Sequence, residues 1–411
     1  MNNYKDTYTS PDTGITIYIT GRPIGEHTSA KELYDIFDAE LENDDLTDGM
    51  LLNSIHNEWS GGYGVVIDTG EAIFAFTDPQ GIEQLYYTTN TYPFTIEPSL
   101  ADFNNLKKSS IDNQYISEIC KWGYNTDNRT PWENIKRVMP GKLLIHNHGE
   151  IGEISIFEDY FIDYHPTKSL KELIETSILK QLAFVEKQDS IGVLLSGGLD
   201  SCCIAYELLE LQKSNKLGDV KLNFYTINNE EDAPFVKIFE DRFGIKAERL
   251  SYDMKTVDLK RALLINETPV DLGSMIPNQI MFELIPDKVV FTGDGPDEMF
   301  GGYRRIDQYD SQLSDIFEEL PFYHFPRLNK SSEYFNKTLC CPYIDRSIVA
   351  RALTLPLNER THKKCLKDAY RGLIPDGIID RKKLPLKNDE LRNDPIKYRL
   401  KLVDEFKKII L

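Results

Sequence analysis

Two short stretches of this chain concentrate residue types that can do chemistry. The first is Ser196-Gly197-Gly198-Leu199-Asp200-Ser201, directly after the apolar run Ile191–Leu195. Paired glycines let the backbone take positive φ and approach an anion closely. Successive N–H groups, together with the start of the helix expected at Ser201–Gln212, then face phosphate oxygens. Ser196 and Ser201 add hydroxyl donors. Asp200 would repel bare phosphate, but it makes sense as a ligand of Mg²⁺ bridging phosphate oxygens. A glycine turn with capping Ser and Asp is the plainer alternative. The complete six-residue pattern between an apolar strand and a helix favours the phosphate site. The Gly-Lys-Ser/Thr of kinase-type loops is missing, so transfer of a γ-phosphate is not indicated. Cleavage between the α- and β-phosphates, releasing pyrophosphate, suits the loop better.

The second stretch, Thr292-Gly-Asp-Gly-Pro-Asp-Glu-Met-Phe-Gly-Gly-Tyr303, follows the apolar run Val289–Phe291. It brings three carboxylates, Asp294, Asp297 and Glu298, to one place. Beside a magnesium–nucleotide complex a carboxylate can bind metal or act as a base toward an incoming amine. Alone, the stretch also reads as a capped turn with solvated acids.

The elements around these loops decide where they sit. From about residue 167 the pattern alternates between strand and helix. Helical spacing covers Leu170–Val185, strand Ile191–Leu195, helix Ser201–Gln212, strand Lys221–Ile227, helix Ala233–Phe243, strand Ala247–Tyr252 and strand Lys288–Thr292. That order implies a doubly wound parallel sheet with helices on both faces, and ligands of such sheets sit at the carboxyl ends of the strands. Both loops belong to that edge. Leu195, Ile227, Thr292 and Gly293, at strand ends, join Ser196–Ser201 as candidate nucleotide-binding residues. From Ser311 to Leu411 the chain reads as mainly helical. Before residue 162 the strands are short and alternating (Thr16–Thr20, Tyr63–Asp68, Ile73–Thr77, Leu85–Tyr87, Lys142–Ile145), which predicts an antiparallel β-rich domain. The expected division is residues 1–162 and 167–411, joined through Tyr160–Pro166.

Together the two loops resemble those of the asparagine synthetase superfamily, the amide-forming ATP pyrophosphatases that include asparagine synthetase, β-lactam synthetase and lasso-peptide cyclases. Ser196–Ser201 is similar to the first family motif, and Thr292–Tyr303 to the second, Ser-Gly-Glu-Gly-x-Asp-Glu-x-Phe-Gly-Gly-Tyr. The resemblance implies ATP as substrate, Asp200 and Asp297 as magnesium ligands, and Asp294 near the reacting groups. Asparagine synthetase has a glutamate at that last position and β-lactam synthetase a tyrosine, so Asp294 leans toward the former. Cys341-Pro342-Tyr343-Ile344-Asp345 resembles Val-Pro-Phe-Leu-Asp, without the Arg that precedes it. Lys364–Ala369 resembles the helix ahead of the catalytic lysine, and Arg381-Lys382-Lys383 the Arg-x-Lys that delivers it, which makes Lys383 the candidate. A lysine over the α-phosphate stabilises charge that develops in adenylation and amide formation. Without the resemblance, the Arg-Lys-Lys run reads as solvated surface.

Residues 20–160 resemble part of a glutamine amidotransferase domain of the N-terminal-nucleophile type, through Trp59–Ile67, Asp78–Tyr87 and Pro131–Gly141. The departures point to a degenerate domain. Such a glutaminase needs an N-terminal Cys, whereas this chain opens Met1-Asn2 and its first Cys is Cys120. The Asn-Gly-Glu of the family's glutamine pocket aligns with Thr20-Gly21-Arg22, so two acceptors have become a hydroxyl and a cation.

The bulk properties narrow the field further. Apolar residues make up 41% and charged residues 27% of 411, ordinary for a globular protein of two domains. A net charge of −19 argues against a nucleic-acid-binding surface. No apolar run approaches the roughly 20 residues that span a bilayer, and a cytoplasmic protein is expected. The six Cys are not spaced as zinc ligands and read as structural thiols. The expectation is an ATP-dependent, AMP-forming carbon–nitrogen ligase without glutaminase activity of its own. It would join a small-molecule or peptide carboxylate to ammonia or an amine. An intramolecular amide former and a catalytically dead nucleotide-binding regulator are the alternatives. Glu267–Asn278 is expected to line part of the acceptor pocket.

Overall fold

The computed structural model describes residues 4–41, 55, 59–89, 93–103, 109–156, 167–185, 187–251, 257–271, 273–302, 320–382 and 393–410. The connection expected at Tyr160–Pro166 falls outside them.

The first part of the chain builds a six-stranded antiparallel sheet in the order β1-β2-β3-β4-β8-β9. Its strands are β1 (Asp6–Thr9), β2 (Thr16–Gly21), β3 (Tyr63–Asp68), β4 (Ala72–Thr77), β8 (Lys142–Asn147) and β9 (Glu150–Ser155). Along β3 the two-residue period splits the side chains. Tyr63, Val65 and Ile67 join the core under helix Ala30–Leu41, and Val66 joins a second core on the other face with Leu85, Tyr87 and Leu144. A smaller sheet, β6-β5-β7, is formed by β5 (Tyr86–Thr88), β6 (Ile96–Glu97) and β7 (Ile135–Arg137).

The second part is a five-stranded parallel sheet, β12-β11-β10-β13-β14. Its strands are β10 (Ser190–Leu194), β11 (Lys221–Ile227), β12 (Ala247–Leu250), β13 (Val289–Phe291) and β14 (Thr338–Cys340). The chain lays down β10, moves outward through β11 and β12, then returns to the other side of β10 for β13 and β14. The reversal point therefore lies between β10 and β13, where doubly wound sheets open a crevice at their carboxyl ends. The two loops singled out above leave these same two strands. Strand β14 lies within the stretch expected to be mainly helical. Its three residues are too few to show a period, and its place comes from the sheet beside it.

The two parts share core. Ile82 packs with Tyr225, Phe282 and Phe325, while Tyr86, Leu100 and Trp132 pack with Leu263, Met275 and Ile276. Helix Pro395–Ile410 returns to the first part: Leu402 and Phe406 enter the same cluster, and Phe406 meets the Trp132 ring edge-on at 6.0 Å. The seam also buries the Lys330–Glu267 ion pair, whose members hydrogen-bond to Tyr86 and Ser99. Glu267 thus serves the seam, and Asn266, Thr268 and Val270 line a cavity there.

Candidate functional site

The first loop is preformed by its own hydroxyls. Ser201 Oγ accepts from Ser196 N at 3.1 Å and lies 3.0 Å from Ser196 Oγ, which in turn accepts from Gly198 N at 3.3 Å. Gly197 has φ +67, and a Cβ there would stand 2.8 Å from Val236 N. No larger residue fits that packing. Helix Leu199–Lys213 starts at Gly198 with no side-chain cap, which leaves its first N–H groups available to an anion. Leu195 ties the loop to the neighbouring strand through its N–H to Tyr225 O at 2.8 Å. Ile227, which ends β11, is the last rung paired with β12, opposite Leu250.

The second loop packs backbone to backbone against the first. A Cβ on Gly293 would lie 2.7 Å from Ser201 N and 2.8 Å from Asp200 C. Thr292 N donates to Cys340 O at 2.9 Å, and the Thr292 hydroxyl donates to the half-buried Asp294 carboxylate. Cys341 Sγ donates to Asp294 O at 3.2 Å, and Tyr343 OH to Asp200 O at 3.1 Å. The Cys341–Asp345 segment thereby holds the backbone of both loops. Glu298 points elsewhere and meets His324 Nδ1 at 3.3 Å.

Asp200 and Asp297, 7% and 6% exposed, converge on one cation that the sequence reading passed over. Lys363 Nζ stands 2.6 Å from Asp200 Oδ2 and 2.5 Å from Asp297 Oδ1. Its backbone is held with equal care: Lys363 N donates to Phe300 O at 2.7 Å and His362 N to Gly301 O at 3.0 Å. Both residues have φ +57, a conformation that non-glycine residues hold only when their surroundings impose it, often at functional sites. One sequence signal existed. Lys363 and Lys364 stand at the N-terminus of helix Lys364–Tyr370, where a cation opposes the helix dipole and caps poorly.

Lys383 lies outside the described residues, but its approach is anchored. Arg381, two residues earlier, donates from Nη1 to Ser196 O at 3.2 Å, pairs with Asp232 and stacks 4.1 Å over the Phe235 ring. Tyr303 is likewise outside the described residues.

The donor set can be tested against a divalent ion. Among the described residues, two buried carboxylates meet with the Lys363 ammonium between them, and no cluster of three His, Cys, Asp or Glu could close a metal cage. That suits Mg²⁺, which is commonly held by one or two carboxylates with phosphate oxygens and water completing the shell. The thiols are unsuited to nucleophilic work. All six Cys are free, and burial pushes the Cys202, Cys203, Cys340 and Cys341 thiols up, keeping them protonated.

At the first part of the chain, Arg22 reaches across the seam. Its Nη2 donates to Leu339 O at 3.0 Å and contacts Cys340 Sγ at 3.7 Å. Those residues end β14, beside Thr292.

Fold and loops together place two glycine-rich turns side by side at the reversal point of a doubly wound sheet. Residues 169–340 match the family model described as asparagine synthase. Over that segment the chain is similar to the asparagine synthase family, in line with the resemblance of the two motifs. It is 23% identical over 356 residues to a probable glutamine-hydrolyzing asparagine synthetase of Acanthamoeba polyphaga mimivirus, covering 78% of this chain and 61% of the relative. It is 25% identical over 268 residues to putative asparagine synthetase 2 of Methanocaldococcus jannaschii, covering 61% and 50%. It is also 24% identical over 286 residues to the amidase chyE of Penicillium rubens, covering 63% and 41%. The chain thus spans about half the length of the curated relatives it matches.

Proposed function

We propose that this protein is an ATP-dependent amide-forming ligase that adenylates a carboxylate, releases pyrophosphate and passes the acyl group to ammonia or an amine. The observation that carries the reading is the convergence of both loops on Lys363, with Asp200 and Asp297 on either side. In this reading the N–H groups of Gly198–Ser201 bind the phosphates. Asp200 and Asp297 hold Mg²⁺, which supplies charge neutralisation to the phosphates when bound. Lys363 then balances two buried acids in the resting protein and is free to move onto phosphate oxygens when ATP arrives. Lys383 is proposed as the second cation, delivered to the α-phosphate by the Arg381 anchor, where it stabilises developing negative charge. Asp294 sits at the mouth of the second loop as the candidate acceptor of a proton from the incoming amine.

We propose further that the first part of the chain has a structural role and no glutaminase activity. Support comes from Arg22, the residue aligned with the glutamine pocket of the resembled amidotransferases, whose guanidinium is committed to Leu339 O. Nitrogen would then arrive as free ammonia or as an amine of a substrate.

The test is ATP–[³²P]pyrophosphate exchange across a panel of carboxylic acids, followed by product mass spectrometry with ammonium and candidate amines. Exchange with at least one acid is expected, reduced at least ~100-fold in Asp200→Ala. A product one water lighter than its substrate, formed regardless of ammonium, would identify an intramolecular amide former. Absence of exchange with every acid, in a protein that still binds ATP, would count against the ligase reading and favour a regulator.

A further inference from the structure

Away from the loops, the seam between the two parts contains a partly open cavity of about 30 Å³. It shares no residue with the loops or with Lys363. Arg129 and Arg137 enter its wall from the first part, and Thr268, Phe322 and Lys330 from the second. Lys330 is balanced by Glu267. Arg129 commits Nε to Asp127 at 2.6 Å and Nη2 to Glu118 at 2.9 Å. Arg137 is different. It is 7% exposed, its Nη2 reaches only the backbone oxygen of Arg129 at 3.5 Å, and its guanidinium lies 5.1 Å over the Phe322 ring. No carboxylate among the described residues pairs with it. Arg137 Nε and Arg129 Nη1 are both buried donors without a hydrogen-bond partner, and both belong to side chains that line this cavity.

Guanidinium groups keep their charge in proteins, and that of Arg137 is buried. A buried charge without a partner is strongly unfavourable. The room beside it is sized for two or three water-sized bodies, by the rule that about 10–15 Å³ of this kind of volume holds one. That is too little for phosphate or a carboxylic acid substrate, and enough for a halide. We propose that the cavity binds one small monovalent inorganic anion, chloride in ordinary solution, held by Arg137 Nε and Arg129 Nη1. The ion supplies the missing counter-charge and joins the first part of the chain to the Phe322–Lys330 segment of the second.

The experiment uses the full chain exchanged into gluconate buffer. Thermal unfolding is followed as chloride replaces gluconate at constant ionic strength, with ³⁵Cl line width measured on the same samples. The wild type is expected to show a rise in Tm of about 1.5–2 °C at tenfold excess over the dissociation constant, growing with the logarithm of chloride concentration, together with ³⁵Cl broadening. Arg137→Gln should lose both responses and be at least as stable as the wild type in gluconate, because it no longer buries a bare charge. If that variant does not fold, Arg129→Lys, which keeps the charge but removes Nη1, should need at least ~10-fold more chloride for the same rise. Identical Tm in gluconate and chloride, or responses unchanged in these variants, would mean that water fills the cavity and would overturn the proposal.

Discussion

Lys363 shows how one residue can tie two loops together through buried charge. Two buried carboxylates facing each other without a cation would repel, and the ammonium between them removes that repulsion. The same arrangement makes a specific expectation about Lys363→Met. Pyrophosphate exchange should fall by at least ~100-fold, as for loss of a charge-stabilising donor. The variant should also lose about 3–5 kcal/mol of stability, because one partner of a buried ionic cluster is gone. Added Mg²⁺ should restore much of that loss, since a divalent ion can occupy the place between Asp200 and Asp297. Calorimetry with and without Mg²⁺ checks this. A variant as stable as the wild type and indifferent to Mg²⁺ would show that the three groups do not form a unit. The backbone at His362 and Lys363, with φ +57 at both, fits this account, because two main-chain bonds to the second loop fix where the Lys363 side chain starts.

At the scale of elements, the site depends on glycine contacts that admit no side chain. Gly197→Ala places a methyl group against Val236 N and asks alanine to hold φ +67. It should cost at least about 1–3 kcal/mol and raise KM for ATP, measured by unfolding and by exchange kinetics. Retained stability and unchanged KM would mean that the helix behind the loop is free to shift. These loops were legible because their strands are continuous apolar runs and their glycines stand at strand ends. Strands β10 and β13 fall within a residue of their expected places for the same reason. Other elements were hidden for physical reasons. Strand β9, with Glu150, Gly152 and Glu153, is an exposed edge without a hydrophobic face. Strand β14 is recognised only through its pairing with β13. Lys363 lies 20 residues before the lysine that the family pattern highlights, and only tertiary packing shows what it touches. Arg22 was readable as a lost acceptor, but its bond to Leu339 crosses more than 300 residues of chain.

At the scale of the molecule, the seam makes the two parts interdependent. Asp78 organises the loop that meets the second part. Its carboxyl accepts from the N–H groups of Tyr63, Ile82 and Glu83 at 3.2, 3.0 and 2.9 Å, and Gln80 in the same loop donates to Ile344 O at 2.8 Å. Complete burial pushes that carboxyl up to about 7, against the lowering effect of those hydrogen bonds. Between its unfolded value near ~4 and its folded value, the native state holds a proton that the unfolded chain has released. Stability should therefore fall as pH rises across that window, and the Asp78 contribution should be level below it. Asp78→Asn should remove this slope and lower stability by about 1–3 kcal/mol at the acid end of the range, because an amide presents donors to donors, with the difference shrinking as pH rises through the window. Tm measured from pH 3.5 to 8 for both proteins is the check; parallel curves would assign the slope to other groups.

Helix Pro395–Ile410 has a consequence for the order of events during synthesis. Leu402 and Phe406 complete the cluster that holds Trp132 and Tyr86, yet they leave the ribosome some 270 residues after Trp132. At ordinary elongation rates of about 5–20 residues per second, the apolar patch around Trp132 and Tyr86 waits roughly 15–50 seconds for its final cover. Newly made chains thus pass through an interval in which that patch is exposed, and a general chaperone holding the nascent chain would have its longest opportunity there.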